Sequence, residues 1–563
     1  MESKIFDVCI IGAGWSGLIA CKYMKQFGLS VVVLEKNDYP GGIWKYHKTG
    51  QCAITKNTHT SSSKTFTELS DFPIPDEYPS FISHQQMMTY IRDYVKHFGL
   101  DDHIKYKTEL GKLEKDKENN VWLMHSKDLE SGEEYTIKSK NVISACGANQ
   151  FPNDISTKPE FKNFSGKIVH SSMFRKVELE HLDKRILIVG LGETASDIAA
   201  ELSHVSKHLF VSSGGAHLIR RYNQLVVPDF DVIDHYSSKL REFVSPPHLG
   251  SFGFREFIHF LWGQCGHNIK EWMNDAPFQR HFMNKSGEIL LNQVAFKMIT
   301  PKPRTLKAEG EYVYFADGSK EKIDYIILCN GYLNLIPYIP NNYKTKPEND
   351  FKLMFNNEDP SLVYVGRVRP VVGGLPPIYE VQSMYIARVL AGLVKLPEKE
   401  DRSNTIAEDL EWYQNYFQYT SRRLNGLVDF LLYVNTISKM GGFAPDYKKL
   451  FYKNPYKWWK AITAPYNNCR FLLNDDSKID YVLDHYSKFE PKINHFRFIF
   501  IYTFGWLGIL FYNRFMRLYY FITFHIRNIL QMDVDSNKNY DLYYKEKRVK
   551  KVLKSMDMEH EQG

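Results

Sequence analysis

The chain has 563 residues, 43% hydrophobic, 24% charged and 15% aromatic, a balance that excludes small stapled scaffolds and disordered chains and allows roughly two to four domains. Its formal charge is +7, yet residues 538–554 alone hold seven basic and two acidic residues, so most of the basicity is one tail. A nucleic-acid enzyme would spread such charge over a folded face, which argues against nucleic acid as a partner.

No secretory leader is visible, because the first four residues give way at once to a strand-like apolar run over 5–11. The run enters Gly12-Ala13-Gly14-Trp15-Ser16-Gly17 and then a helix-like stretch from Leu18. In that setting Gly12 permits a tight turn, Gly14 lets a pyrophosphate approach the backbone, and Gly17 lets helix and strand pack closely. A second strand over 31–34 ends in Glu35, where a carboxylate can accept hydrogen bonds from a ribose. The alternative is a glycine turn in an ordinary α/β unit. The pattern recurs as a strand over 185–189, then Gly190-Leu191-Gly192-Glu193-Thr194-Ala195, then a helix opening with Ser196 and Asp197. Its next strand ends in Ser212-Ser213 without a carboxylate, which favours NADP over NAD, unless the repeat is degenerate and binds nothing. The seven cysteines (Cys9, Cys21, Cys52, Cys146, Cys265, Cys329 and Cys469) contain no C-x-x-C pair, so they read as reduced thiols of a cytosol-facing protein. Two dinucleotides without a redox dithiol point to FAD taking hydride from a nicotinamide and passing electrons elsewhere, dioxygen being one candidate.

Between the two glycine loops, Phe164-Ser-Gly166-Lys-Ile-Val-His170-Ser-Ser-Met-Phe174 resembles the F-x-G-x-x-x-H-x-x-x-[YFW] signature of flavin-dependent class B monooxygenases. Glu35, Gly41-Gly42-Ile43-Trp44, the Asp71-Phe-Pro segment and Val381-Gln382-Ser383 are similar to the flavin-containing monooxygenases, the N- and S-oxygenating branch. The resemblance runs from about Ile5 to Gly392, and Phe174 stands where Baeyer–Villiger relatives usually carry Trp. It implies that NADPH reduces FAD and that dioxygen then forms a C4a-hydroperoxide, which oxygenates soft amine or sulfide atoms of small molecules. The protein's part is to exclude water and hydrogen-bond the reacting group rather than to supply a general base. A Baeyer–Villiger monooxygenase is one alternative, and a membrane-attached NADPH oxidase-like or redox-sensing flavoprotein is another.

The resemblance also implies a site. Ser61, within Thr60-Ser-Ser-Ser-Lys64, stands where the family has a catalytic Asn, and Asn57 upstream is the substitute. Cofactor contacts are implied for Gly12, Ala13, Gly14, Trp15, Ser16, Gly17, Glu35, Gly42, Ile43, Trp44 and Thr60 in the first half. In the second half they are implied for Gly190, Gly192, Thr194, Ala195, Ser196, Asp197 and Arg221, with Gly331 and Gln382 completing the set. The family's Arg after the second NADP-half strand has no counterpart after Ser213, leaving Arg220, Arg221 or Lys207 for the 2′-phosphate. His170 reads as an organiser of the linker between domains or as a satisfied core histidine. The helix after Gly373-Gly374 is implied to point its N-terminus at the flavin.

Further on, residues 498–512 carry no charge, a stretch shorter than the roughly 20 needed to span hydrocarbon. Arg514, Arg517 and Arg527 interrupt a second aromatic run over 518–524, which fits a monotopic or re-entrant anchor, two buried core helices being the alternative. His204 and His208 share a helix face but lack a third ligand, so no metal site is expected. The expected fold class is α/β: two Rossmann-like dinucleotide-binding domains, the NADP domain inserted into the FAD domain, plus a helical C-terminal extension. The boundaries are 1–175 and 326–395 for FAD, 176–325 for NADP, 396–494 for the extension, 495–530 for a membrane-associated segment and 531–563 for a basic tail. That arrangement puts the protein on the cytosolic face of a membrane, the endoplasmic reticulum in the family resemblance, with a cytoplasmic protein as the alternative.

Overall fold

A computed structural model describes residues 4–48, 54–214, 217–218, 283–284, 290, 293–370, 373–417, 426–464 and 466–488. Arg220 and Arg221 lie outside the described residues, as do the predicted 495–530 and 531–563 segments. Met1–Ile493 forms one compact unit and Asn494–Gly563 a second.

In chain order the first half contains β1 (Ile5–Ile11), α1 (Trp15–Gln26), β2 (Val31–Leu34), α2 (His84–His97), β3 (Ile104–Lys105), β4 (Thr108–Asp116), β5 (Val121–Asp128) and β6 (Glu134–Ser144). The strands lie in the order β3-β2-β1-β6-β5-β4. β1 pairs in parallel with β2 and β6, whereas β4 and β5 form an antiparallel flank. All four residues of β2 are buried, as expected of a parallel strand covered on both faces. α2 starts at a capping box, in which the Ser83 side chain accepts from Gln86 N–H while Gln86 returns a bond to the Ser83 backbone.

The chain then builds a second sheet from β7 (Lys167–His170), β8 (Arg185–Val189), β9 (His208–Ser212), β10 (Ile299–Lys302) and β11 (Tyr325–Leu328), with α3 (Glu193–Leu202) after β8. Its order is β10-β9-β8-β11-β7, and every pairing is parallel. The chain returns to the first sheet as β12 (Leu362–Tyr364), parallel to β6, and continues into α4 (Leu375–Leu390). The second sheet is thus an insertion in the first unit of sheet and helices, each with its own apolar core.

Beyond α4 lie α5 (Lys399–Phe417), α6 (Phe430–Met440), α7 (Tyr447–Lys453), α8 (Pro455–Thr463) and α9 (Ile479–Ser487). Val428, Phe430, Tyr433, Val434, Ile437 and Tyr466 belong to the same buried cluster as Val8, Ile10 and Leu18 of the first sheet and α1. Among the described residues, no helix is long and apolar enough to cross a membrane.

Candidate functional site

β1 ends at Gly12, whose φ of +101° is open to glycine and strained for other residues. A Cβ on Gly17 would lie 1.8 Å from Gly12 O, so α1 can start this close to the strand only without a side chain there. At Gly14, by contrast, a Cβ would meet nothing nearer than Gly42 Cα at 3.9 Å, which leaves the face of the turn bare. The Gly41-Gly42 turn lies against this loop, with Gly41 N–H donating to Ala13 O at 2.8 Å. Gly366 closes the third side: its Cβ would sit 3.2 Å from Ser16 Oγ. Gly12, Ala13, Gly14, Ser16, Gly17 and Gly42 therefore converge at the C-terminal ends of parallel strands, where open α/β sheets bind ligands. Trp15 points away into the core, its Nε1 on Met87 Sδ at 3.2 Å, while Ile43 is exposed and Trp44 half-buried.

Glu35 is buried at the end of β2. Its Oε2 accepts from Ala13 N–H at 2.7 Å and its Oε1 from the Asn37 backbone and side chain, both at 2.8 Å. The carboxylate thus ties the second strand to the glycine loop and stands beside that loop's bare face. Gly41 and Gly366 were not among the predicted contacts; the signal for Gly41 was the Gly-Gly pair itself, whereas nothing local marks Gly366.

The second loop repeats the design. Gly190 has φ +112°, and a Cβ there would lie 2.3 Å from Cys329 O. Gly192 caps α3, Thr194 is exposed in its first turn, Ala195 and Ser196 are buried, and Asp197 is half-buried. α1, α3 and α4 all begin on a glycine with no side-chain cap, at Gly14, Gly192 and Gly374 respectively. α2, α6, α7 and α8 are instead capped by Ser83, Asp429, Asp446 and Asn454. A helix that begins on glycine turns the positive end of its dipole toward an approaching anion without a side chain in the way, which fits a dinucleotide pyrophosphate at α1 and at α3.

α4 meets the loop that carries Ser61. A Cβ on Gly374 would lie 1.9 Å from Phe66 O, and one on Gly373, with φ +111°, 2.6 Å from the Phe430 ring. Thr60 is buried, its N–H donating to Ile82 O at 2.9 Å and its Oγ1 accepting from Ile82 N–H at 3.1 Å. Ser61 is half-buried, and its hydroxyl has no hydrogen-bond partner among the described residues. Asn57 is exposed, and the carboxylate of Glu201 on α3 is half-buried, its pKa raised by burial. The two candidates thus differ: Ser61 is half-buried with a free hydroxyl, and Asn57 is exposed. Gln382 is fully buried, its Oε1 accepting from Gly366 N–H at 3.4 Å and its Nε2 donating to Tyr433 Oη at 2.9 Å.

His170 closes the linker between the halves. Its Nδ1 accepts from Ser172 N–H at 3.1 Å, so its proton sits on Nε2, which donates to Gly331 O at 3.0 Å. Gly331 itself has φ +82°. Phe174, the last residue of the signature, is buried with its ring centroid 5.4 Å from that of His181.

The family model described as flavin-binding monooxygenase-like matches residues 6–481. A mouse (Mus musculus) protein named dimethylaniline monooxygenase [N-oxide-forming] 2 is 27% identical over 489 residues, 83% of this chain and 88% of its own. A 4-hydroxybenzoate brominase (decarboxylating) of Marinomonas mediterranea is 26% identical over 508 residues, covering 87% and 95%. The solved S-allyl-L-cysteine S-oxygenase of Allium sativum superposes with a TM-score of 0.58 at 18% identity, over 87% of this chain and all of that one. A match across both sheets and into α9, on a chain with two glycine-headed helices, makes this protein a member of the flavin-binding monooxygenase-like family, an oxidoreductase that uses FAD and NADPH.

Proposed function

We propose that this monooxygenase transfers one oxygen atom from dioxygen to soft nitrogen or sulfur atoms of small molecules, at the cytosolic face of a membrane. FAD, when bound, supplies the two-electron chemistry that activates dioxygen. The observation that carries the reading is the pairing of two dinucleotide cradles in one chain with isolated thiols. Among the described residues every cysteine is free, and burial pushes the Cys21 and Cys329 thiols up to about 12, so neither offers a thiolate to carry electrons onward. Phe174 at the end of the signature and the N-oxide-forming activity named for the mouse relative favour heteroatom oxygenation over Baeyer–Villiger insertion. In this reading Ser61 offers its free hydroxyl to the reacting group, and the buried residues around it keep water out. Membrane attachment rests on residues 495–530 and the basic tail, which lie outside the described residues.

A ketone that also bears a thioether, supplied with NADPH and air, tests the reaction class. Sulfoxide as the product supports the proposal. Ester as the sole oxygenated product transfers the enzyme to the Baeyer–Villiger class, and NADPH oxidation yielding only hydrogen peroxide favours a redox-sensing flavoprotein.

A further inference from the structure

The adenine ribose of a dinucleotide lies at the end of the second strand of its binding unit, where a carboxylate selects the free 2′-hydroxyl and a nearby Arg accommodates a 2′-phosphate. In the second half that strand is β9, and it runs out into Ser212, Ser213 and Gly214 with neither residue type in line. Lys207 precedes β9, and its N–H donates to Lys184 O ahead of β8, so it stands at the sheet edge opposite the glycine loop. The structure supplies a cation from elsewhere. β10 pairs in parallel with β9, Ser212 facing Lys302, so both strands end side by side.

Just past β10 the chain is fixed onto the end of β9. Ser213 N–H donates to Lys302 O at 3.1 Å, Ser212 Oγ donates to Pro303 O at 2.7 Å, and Thr305 Oγ1 donates to Ser212 Oγ at 2.8 Å. Arg304 sits within this clamp, its own carbonyl accepting from Ala316 N–H at 2.9 Å. Its guanidinium crosses to Gly214, where a Cβ would lie 3.5 Å from Nε and 3.9 Å from Nη2. Lys302, the other cation here, is committed to Glu321 at 2.6 Å. Arg304 is exposed, and among the described residues its guanidinium has no carboxylate or hydrogen-bond partner. A guanidinium held at its backbone and free at its head suits a phosphate, to which it can bond through two N–H groups.

We propose that Arg304, reaching across from the strand beside β9, recognises the 2′-phosphate of NADPH and sets the enzyme's preference over NADH. Calorimetric titration of the FAD-loaded full-length enzyme with NADP⁺, NAD⁺ and 2′,5′-ADP tests this without turnover. Arg304→Ala is expected to weaken NADP⁺ and 2′,5′-ADP by about ten- to a hundredfold while NAD⁺ stays within about twofold, the loss of a charge-assisted bidentate contact. Arg304→Lys should recover part of the difference, since a point charge replaces the fork. Unchanged NADP⁺ binding, or an equal loss for NAD⁺ and NADP⁺, overturns the proposal. Wild-type enzyme that binds neither nucleotide overturns the placement of the nucleotide at this loop and the proposal with it, an outcome distinguishable because no variant is involved.

Discussion

Ser61 and Asn57 look equivalent in the sequence, two short polar residues in one loop, and burial separates them, Ser61 being half-buried and Asn57 exposed. That difference in exposure is set by the folded loop and has no local trace. The glycines were legible because their demands are local: a φ of +101° at Gly12 or a 1.8 Å contact at Gly17 excludes other residues whatever else surrounds them. Glu35 was legible for a similar reason, its spacing from the glycine loop following from the strand–helix–strand unit. The free hydroxyl of Ser61 leads to a specific expectation. On the proposed role of Ser61, Ser61→Ala would remove one hydrogen bond to the reacting group, a loss of about 1–2 kcal/mol. The share of NADPH oxidation that ends as hydrogen peroxide should then rise about tenfold, with flavin content unchanged, as measured by peroxide trapping against NADPH consumption. Unaltered coupling in Ser61→Ala would remove Ser61 from the site, and Ser61→Asn should restore coupling if a donor at this position is what matters.

At the scale of elements, the strands and helices around both glycine loops follow from apolar periodicity, while the two-residue β3 carries too little pattern to be seen. The linker after β7 is held by histidines in neutral form. His170 uses Nδ1 as an acceptor, which a protonated ring cannot do, and His181 Nδ1 likewise accepts from Glu178 N–H at 2.9 Å. Burial depresses the pKa of His170, His181 and His84 below the ordinary 6.5. Above about pH 6.5 these rings are neutral in both folded and unfolded chains, and their contribution to stability is complete. As pH falls from there the unfolded chain takes up protons first, so stability is lost until pH has passed the lower folded values. These rings should therefore lower the melting temperature as pH falls between about 7 and 5, against an opposite contribution from buried Asp350, whose carboxyl is pushed up to about 7. His170→Gln keeps an acceptor and a donor yet cannot titrate in this range, so its melting temperature should fall less than that of wild type as pH drops from about 7 to 5. A profile identical to wild type would mean that the His170 ring does not sense the folded environment described here.

For the whole molecule, composition indicated a chain of several domains and a basic end, but not that residues 396–488 are built into the first core. The bonds that do this join distant residues. Asn467 Nδ2 donates to Thr65 O at 2.7 Å and to Glu68 Oε1 at 2.6 Å, and His485 Nε2 lies 2.7 Å from the same oxygen. Asn468 Nδ2 donates to Glu380 Oε2 at 2.7 Å, beside bonds to that carboxylate from Tyr23 and Ser70. Glu380 is fully buried on α4, and burial raises its pKa, with Lys22 the main opposing influence. A chain ending at residue 395 would leave these buried carboxylates short of donors, at about 1–3 kcal/mol each. It would also uncover apolar faces that Phe430, Val434 and Tyr466 now bury, each worth about 1.5–3 kcal/mol, and together these losses are as large as the roughly 5–15 kcal/mol that holds a domain folded. A chain ending at residue 493 keeps all of them. The first should therefore be recovered without flavin and without a cooperative melting transition. The second should keep bound flavin and a cooperative melting transition. If residues 494–563 carry the membrane attachment, the chain ending at 493 should also fail to sediment with phosphatidylserine vesicles that pull down the full chain, because about 1 kcal/mol per surface Lys or Arg goes with the tail. A chain ending at 395 that melts cooperatively with bound FAD would refute the shared core, and vesicle binding that survives removal of 494–563 would move the attachment to the flavin- and nucleotide-binding unit.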